Sequence, residues 1–288
     1  MILLTGATGQ IGREVVRELG EARTRFRALV RSAGKAETIR EAGGEAVVGD
    51  YGDAAALDAA LSGTDTLFLL TPTDPDKVRV ESRIAEAAAR CGVARIVKIS
   101  ADGADAPAPY LFGRQHRDVE RRIERLGIAW SFLRPSFFMQ NYFLYADTIR
   151  THGAIVAPAG EGRHPDIDVR DVAAAAARVL TDDRHDGRAY TLTGAEARSL
   201  ADGARTIAKI TGREVRFVDV SPDEARKAML ASGTPEWMID GLLDLYAWLQ
   251  LGEGSNGSAV THALHEILGR PPRTFEAFVR ENVAAFGG

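Results

Sequence analysis

The sequence predicts an α/β protein, a doubly wound parallel sheet with a smaller, mainly helical C-terminal part. Three observations predict it. Short apolar runs alternate with amphipathic stretches through the first half, a glycine-rich turn follows the first of those runs, and beyond Pro135 helical patterns and Gly/Pro turns take over. Strand–helix alternation at this spacing argues for parallel strands with helices on both faces. In this reading residues 1–135 form the sheet domain, joined by a return strand near 188–193, and residues 136–288 form the smaller part.

Apolar runs at 2–5, 27–30, 46–48, 66–70, 95–99 and 129–133 are short and bounded by Gly, Asp, Pro or Ser, the punctuation of buried strands. Helical patterns lie between them at 12–19, 54–61, 78–90 and 113–126. The first of these places Val15, Val16 and Leu19 on one side, continuing from Ile11. After Pro135 a helix is expected at 138–149. Another follows near 172–180, with Asp171 at its start, where a carboxylate meets free N–H groups. Further helices are expected at 199–210, 222–230, 236–249 and 275–286. Residues 252–258, Gly-Glu-Gly-Ser-Asn-Gly-Ser, read as a flexible loop by composition, either a plain surface loop or a lid.

Composition bounds the function. The 288 residues are 45% hydrophobic and 26% charged, ordinary for a soluble globular chain. Lys and Arg number 36 against 40 Asp and Glu, so no basic excess is available to grip nucleic acid through its phosphates. The one cysteine, Cys91, excludes an internal disulfide and a Cys-x-x-Cys redox pair. No apolar run approaches the ~20 residues of a membrane-spanning helix. No basic leader or small-residue cleavage pattern precedes the first strand, so a cytoplasmic protein is expected. His262, His265 and Glu266 lack the order of a zinc-protease motif, and no metal is expected.

The turn Gly6-Ala7-Thr8-Gly9-Gln10-Ile11-Gly12 sits between the first strand and the first helix. Gly6 permits the tight turn, Gly9 lets the backbone approach a pyrophosphate, and Gly12 lets the helix pack close to the sheet. The helix start then turns its N–H groups toward the anion. With Thr8, Gln10 and Ile11, this turn is the candidate dinucleotide cradle. The second strand ends at Arg31, followed by Ser32 and Lys35, where NAD-binding sheets usually put an acid on the ribose 2′-hydroxyl. A guanidinium there can hold a 2′-phosphate in a two-pronged grip, which favours NADP(H) over NAD(H); the alternative is a solvated basic loop. Asp50, followed by Tyr51, is placed to accept from an adenine amino group or to form a turn. Leu70 and Thr71, at the end of the fourth strand, complete the candidate cofactor contacts.

Four stretches occur in order: Thr5-Gly6-Ala7-Thr8-Gly9, Gly49-Asp50, Phe132-Leu133-Arg134-Pro135-Ser136-Phe137-Phe138-Met139-Gln140-Asn141, and Gly269-Arg270-Pro271-Pro272-Arg273-Thr274-Phe275. Together they resemble the NmrA-like group of atypical short-chain dehydrogenase/reductases, particularly its NAD(P)H:quinone oxidoreductase-like branch, over nearly the whole chain. The resemblance implies a Rossmann-type domain, NADP(H) binding, and either quinone reduction or nucleotide sensing. Orthodox members of the superfamily use a Tyr-x-x-x-Lys pair with a Ser ending the fifth strand. Ser100 matches, but Tyr110 and Arg114 have the spacing without the lysine. Arginine stays protonated and does not tune a tyrosine as lysine does. At ~100° per residue, His116 shares the inward face of Val119 and Ile123, while Arg114 points away. Related reductases of the isoflavone-reductase type carry their catalytic lysine at the position aligned with His116, and the quinone-reductase-like branch resembles this chain in having histidine there.

His116 and Ser100 are therefore the catalytic candidates. A quinone accepts hydride readily and its hydroquinone anion is a weak base, so orientation plus a histidine titrating near neutrality can suffice. The plainer alternative is a histidine bonded to Ser100 or to a backbone carbonyl. Phe137, Phe138, Tyr142, Phe143 and Tyr145 cluster after the sixth strand. Flat apolar walls suit a flat substrate, although the spacing of Phe138, Tyr142 and Tyr145 favours core packing for most of the cluster. Phe137, Phe138 and Asn141 are the expected substrate contacts. The charged run 117–125 reads as a solvated helix face with an Asp118–Arg122 pair. The expected function is an NADPH-dependent oxidoreductase passing hydride to a small-molecule quinone or similar electrophile. The alternative is an NADP(H)-binding redox sensor that acts through a protein partner without turnover. An epimerase or carbonyl reductase is disfavoured by the missing Tyr–Lys pair.

Overall fold

A computed structural model of the chain describes residues 1–107, 109–251 and 258–288. The expected flexible loop therefore lies outside the described residues, except for Ser258. The elements begin β1 (Ile2–Leu4), α1 (Gln10–Glu21), β2 (Phe26–Val30), α2 (Ala33–Glu41), β3 (Glu45–Val48), α3 (Ala54–Leu61), β4 (Thr66–Leu69), α4 (Lys77–Arg90), β5 (Arg95–Ile99), α5 (Leu111–Glu124) and β6 (Ala129–Pro135). They continue α6 (Ala146–His152), β7 (Ala154–Ala157), β8 (Arg163–His164), α7 (Val169–Leu180), β9 (Arg188–Leu192), β10 (Arg198–Ser199), α8 (Leu200–Thr211), β11 (Arg216–Asp219), α9 (Pro222–Ala231), α10 (Glu236–Leu249), α11 (Ala263–Leu268) and α12 (Phe275–Glu281).

The chain forms two interleaved units. The first holds Met1–Ala101, Gln115–Arg134 and Val169–Tyr190; the second holds Asp102–Arg114, Pro135–Asp168 and Thr191–Gly288. This division differs from a single boundary at residue 135: α7 goes with the first unit and residues 102–114 with the second.

The first unit is built on a seven-stranded sheet in the order β3-β2-β1-β4-β5-β6-β9, with β1 to β6 paired in parallel. Strands buried on both faces need no alternation, which is why β1 and β4 read as unbroken apolar runs. The order doubles back between β1 and β4, the place where such sheets open a crevice at their strand ends. Leu3, Leu67, Ile96 and Phe132 of the sheet pack with Leu57, Leu61, Ile84, Val119 and Ile123 of the helices. On another side, α7 lies against α1. Arg95, buried at the start of β5, donates to the carbonyls of Leu180 and Asp182 at 2.8 Å and pairs with Asp186 at 3.2 Å. It thereby satisfies a carbonyl that the end of α7 leaves without a helical partner.

The second unit departs further from expectation. It is not purely helical: β7 pairs in parallel with β11, and β8 pairs antiparallel with β10. Strands of two to four residues carry too little periodicity to be seen in sequence. The helix expected at 138–149 starts late, because Phe138 is still extended and bridged to Ile167. A 3-10 turn, Met139–Tyr145, then leads into α6. The core of this unit includes Met139, Tyr142, Tyr145, Ile207, Trp248 and Phe278. Among the described residues, no helix is long and apolar enough to cross a membrane.

Replacing Arg95 with Met should leave the buried Leu180 carbonyl and the half-buried Asp182 carbonyl without their charged donor. The unfolding free energy is expected to fall by about 2–3 kcal/mol, read from the urea midpoint; an unchanged midpoint would show that the α7 end is held by other contacts.

Candidate active site

The glycine turn is fixed from below by Thr5, whose fully buried hydroxyl accepts the Leu70 N–H and donates to the Leu70 carbonyl, both at 2.9 Å. This ties the ends of β1 and β4 together. Gly6 sits at φ +65°, and a Cβ there would lie 2.6 Å from the Leu70 carbonyl oxygen. A Cβ on Gly12 would lie 2.1 Å from the Gly6 carbonyl oxygen. Only glycine fits either place. Gly9 precedes α1 without a side-chain cap, and no acid stands in the first turn. Ser32, Asp53, Ser199, Ser221 and Thr274 cap α2, α3, α8, α9 and α12, whereas α4, α6, α10 and α11 share with α1 the lack of a side-chain cap. The first-turn N–H groups of α1 thus stay available to an anion. Thr8 and Gln10 are exposed, whereas the Ile11 side chain is buried in the core, so Ile11 can contribute only through its backbone.

The basic segment after β2 is the start of a helix rather than a loop. Ser32 caps α2 by accepting the Lys35 N–H at 3.4 Å, and the first turn carries no acid. Arg31 and Lys35 are exposed there, and neither makes an ion pair among the described residues. Lys35 lines a surface cavity of about 660 Å³ with Thr8 and Arg13. Asp50 is exposed and accepts the Gly52 N–H at 2.8 Å, acting as a turn former. The Tyr51 hydroxyl accepts the Gly6 N–H at 3.1 Å. Burial raises the pKa of that phenol, while Gly6 and nearby Arg31 oppose the rise. Leu70 is half-buried beside the turn, but the Thr71 hydroxyl donates inward to Glu81 at 2.7 Å.

A buried charged network lies along β5. Lys98 and Ser100 are two residues apart and share one face of the strand; His116 and Glu120 are four apart and share one face of α5. The two faces meet residue for residue. Lys98 Nζ lies 3.1 Å from His116 Nδ1, and the Ser100 hydroxyl donates to Glu120 Oε1 at 2.7 Å. Lys98 also donates to Glu81 and, at 3.0 Å, to the Ile99 carbonyl. Glu81 holds Lys77 as well, at 3.0 Å. Glu120 takes Arg134 through Nε at 2.9 Å and Nη2 at 2.8 Å, and Arg117 at 3.0 Å. Lys98, Glu81 and Glu120 are fully buried.

The electrostatics follow from these contacts. Burial alone would raise the Glu81 carboxyl, but Lys98 and Lys77 outweigh it and bring its pKa down to about 2. Burial likewise opposes Glu120, and Arg134 with Ser100 and Arg117 overcomes it, so that carboxyl is also lowered. Burial pushes Lys98 down; Glu81 opposes the push and Lys77 adds to it. Three ammonium hydrogens on Lys98 meet three acceptors, so His116 Nδ1 accepts and Nε2 carries the ring proton. His116 does not titrate near neutrality as expected. Burial, then Lys98 and Lys77, push its pKa well below the usual histidine value, so the ring is neutral. Ser100 commits its proton inward. The run 117–125 is not simply a solvated face either, since Glu120 is buried and Arg117 pairs with Glu120 and Glu124.

Arg114 points away from the inward face, as the helix geometry predicts. Arg114 is exposed and pairs with Asp244 at 3.3 Å, while Tyr110 is buried against Trp248, with ring centroids 5.0 Å apart. In the second unit, Phe137, Phe138 and Asn141 are all half-buried. Met139, Tyr142 and Tyr145 belong to the core. The Phe137 ring lies against His164 at a tilt, with centroids 4.3 Å apart, and His164 pairs through Nδ1 with Asp166, which Arg198 also holds at 3.3 Å. The sequence reading missed His164, Asp166 and Arg198, and also Lys77, Glu81, Lys98 and Arg134. One signal was available: Lys98 is a charge set between Ile96, Val97 and Ile99 in a strand.

Known proteins resemble this chain over its whole length. Residues 1–279 match the NmrA-like family. The chain is 39% identical to the NAD(P)H azoreductase of Xenophilus azovorans over 287 residues, covering 100% of this chain and 99% of that protein. It is 31% identical to quinone oxidoreductase 2 of Escherichia coli over 278 residues, covering 95% and 96%. The crystal structure of the NADPH-dependent quinone oxidoreductase of Escherichia coli complexed with NADPH superposes with a TM-score of 0.88 at 29% identity, covering both chains fully.

The lowered Glu81 carboxyl makes stability pH-dependent. Its contribution is complete above the ordinary carboxyl value of 4.5 and is lost as the pH falls toward about 2. Thermal midpoints measured across that window should therefore fall steeply in the parent and less steeply in Glu81→Gln; parallel slopes would show that other groups set the acid transition.

Proposed function

The chain belongs to the NmrA-like family, and from that premise we propose that it reduces quinones or similarly electron-poor aromatic acceptors, with NADPH as the hydride source. At the coarser level it is an NAD(P)H-dependent oxidoreductase, like its full-length relatives. The observation that carries the reading is the turn at Gly6, Gly9 and Gly12, a backbone-only cradle that a Cβ would fill, opening an uncapped helix. It fits a pyrophosphate.

Gly6, Thr8, Gly9, Gln10, Ile11 and Gly12 would hold the pyrophosphate, and Arg31 and Lys35, at the start of α2, the 2′-phosphate. Tyr51 and Leu70 border the turn; the Asp50 and Thr71 side chains are engaged in the fold. When bound, the reduced nicotinamide supplies the hydride. His116 offers its Nε2–H to the acceptor's developing oxyanion, and Ser100 is held in place by Glu120. A hydroquinone anion is stable enough for a hydrogen bond from a neutral imidazole to hold it as it forms, where a ketone's alkoxide would need a proton in the same step. Phe137, Phe138 and Asn141 of the second unit supply the substrate contacts. The first unit is thus the nucleotide-binding part and the second the substrate-binding part.

Two measurements test this. The protein mixed with NADPH and a panel of quinones and azo dyes should consume NADPH, followed by nicotinamide absorbance. Tight NADPH binding without turnover of any acceptor would favour the nucleotide sensor instead. By calorimetry, Arg31→Asp should weaken NADPH binding by roughly 10- to 100-fold, the loss of charge-assisted hydrogen bonds, and leave NADH nearly unchanged. Equal loss for both would show that Arg31 does not read the 2′-phosphate.

A further inference from the structure

We propose that Lys98 is the proton reservoir for the reduction: its ammonium passes a proton to His116 Nδ1 as His116 Nε2 gives its own proton to the reduced acceptor. This rests on the reductase reading above and adds a residue that the reading does not use. Lys98 acts through His116 and is therefore a positioning residue.

The arrangement satisfies its hydrogen bonds both before and after the transfer. As an ammonium, Lys98 donates to Glu81, to the Ile99 carbonyl at 3.0 Å and to His116 Nδ1 at 3.1 Å. As an amine, it keeps the first two bonds and accepts back from Nδ1–H through its lone pair. No buried group is stranded in either state, so the transfer avoids the penalty of an unmade hydrogen bond. Lys77 has its own acceptors in Glu81 at 3.0 Å and the Thr71 hydroxyl at 3.2 Å, so Glu81 keeps a cationic partner throughout. The charge balance points the same way. Two lysines share Glu81, leaving one positive charge in excess in a dry site, and the transfer removes it. Burial and Lys77 make Lys98 a stronger acid than a free lysine, opposed by Glu81 and by Glu120.

His116 is half-buried rather than sealed, and Nε2 has no partner among the described residues. The step balances. The acceptor gains a hydride from the reduced pyridine nucleotide, becoming a hydroquinone anion. Its oxygen takes the Nε2 proton, Nδ1 takes the Lys98 proton, and the nucleotide is left oxidised. A solvent proton then returns to Nε2 while the Nδ1 proton goes back to Lys98. One proton is taken from solvent per turnover.

The test pairs a spectrum with kinetics. In ¹⁵N-histidine-labelled protein without nucleotide, the two-bond ¹⁵N–¹H spectrum should show the His116 ring with Nε2 protonated and Nδ1 a bare acceptor. The double variant Glu81→Gln/Lys98→Met is nearly isosteric and preserves the net charge of the cluster; its thermal midpoint checks the fold. In it, the Nδ1 signature should shift away from that of a strongly hydrogen-bonded acceptor. Its kcat for NADPH-dependent reduction of a naphthoquinone should fall by roughly 10²-fold. The fall in kcat at alkaline pH, set in the parent by loss of the Lys98 proton, should disappear. A parent ring protonated at Nδ1, or a folded double variant with the parent's kcat and alkaline limb, would overturn the relay. A parent inactive on every acceptor overturns the reductase reading instead, which a failed relay in an active parent does not.

Discussion

An ammonium in the middle of a parallel sheet is tolerable only if a hydrogen-bonded anion meets it, because desolvating an unpaired charge costs several kcal/mol. Lys98 is such a group, and much of the first unit is arranged around it. Glu81 must reach it from α4, which fixes how α4 lies on the sheet. Lys77, one helical turn earlier, closes on the same carboxylate and on Thr71. His116 completes the set from α5 and in doing so has its tautomer decided. Two residues along the strand the same logic recurs with other partners, as Ser100 meets Glu120, which two arginines hold. The end of β5 is thus a ladder of polar contacts inside an otherwise apolar interior. Its members are interdependent, since removing one leaves another buried and unpaired.

What the sequence disclosed follows from the range of the interactions involved. The glycine turn was legible because its constraint is local: Gly6 and Gly12 collide with backbone only a few residues away or at the end of the adjacent strand. The orientation of His116 against Arg114 was legible for the same reason, being a matter of helix phase alone. The network on β5 was not. Lys98, Glu81 and His116 come from three elements, and nothing in the spacing of 81, 98 and 116 says that they converge. α2 escaped notice because Gly34 sits in its first turn and it buries only Ala36 and Ile39, which leaves little apolar periodicity. β7 and β11 escaped because their partnership joins positions 62 residues apart through four-residue strands.

The two carboxylates on this ladder also explain why the charged residues of α5 resist a reading from pattern. Arg117 and Glu124 have the spacing of a solvated helix, and Arg117 does pair with Glu124. Glu120 looks identical in sequence, yet besides Arg117 it meets Ser100 and Arg134, both on or beside strands. Helical spacing tells which residues share a face; it does not tell whether that face meets water or an arginine. Arg134, in the Leu-Arg-Pro stretch, has a structural reason to be arginine: its planar guanidinium reaches both oxygens of one carboxylate, which a lysine cannot do.

The same electrostatics account for the histidine at 116 and the missing lysine there. A lysine at that place would bring a third ammonium toward the buried Glu81, beside Lys98 and Lys77. Like charges at such distances in a low dielectric repel by more than the one carboxylate can offset. A neutral imidazole removes the conflict, because its Nδ1 accepts from the very cation that would repel an ammonium. The cationic group of this site has in effect moved from the helix to the strand, where Glu81 can hold it, and the ring connects it to the outside. The buried positive charge beside His116 thus sits on the strand, at Lys98, whose ammonium lies 3.1 Å from His116 Nδ1.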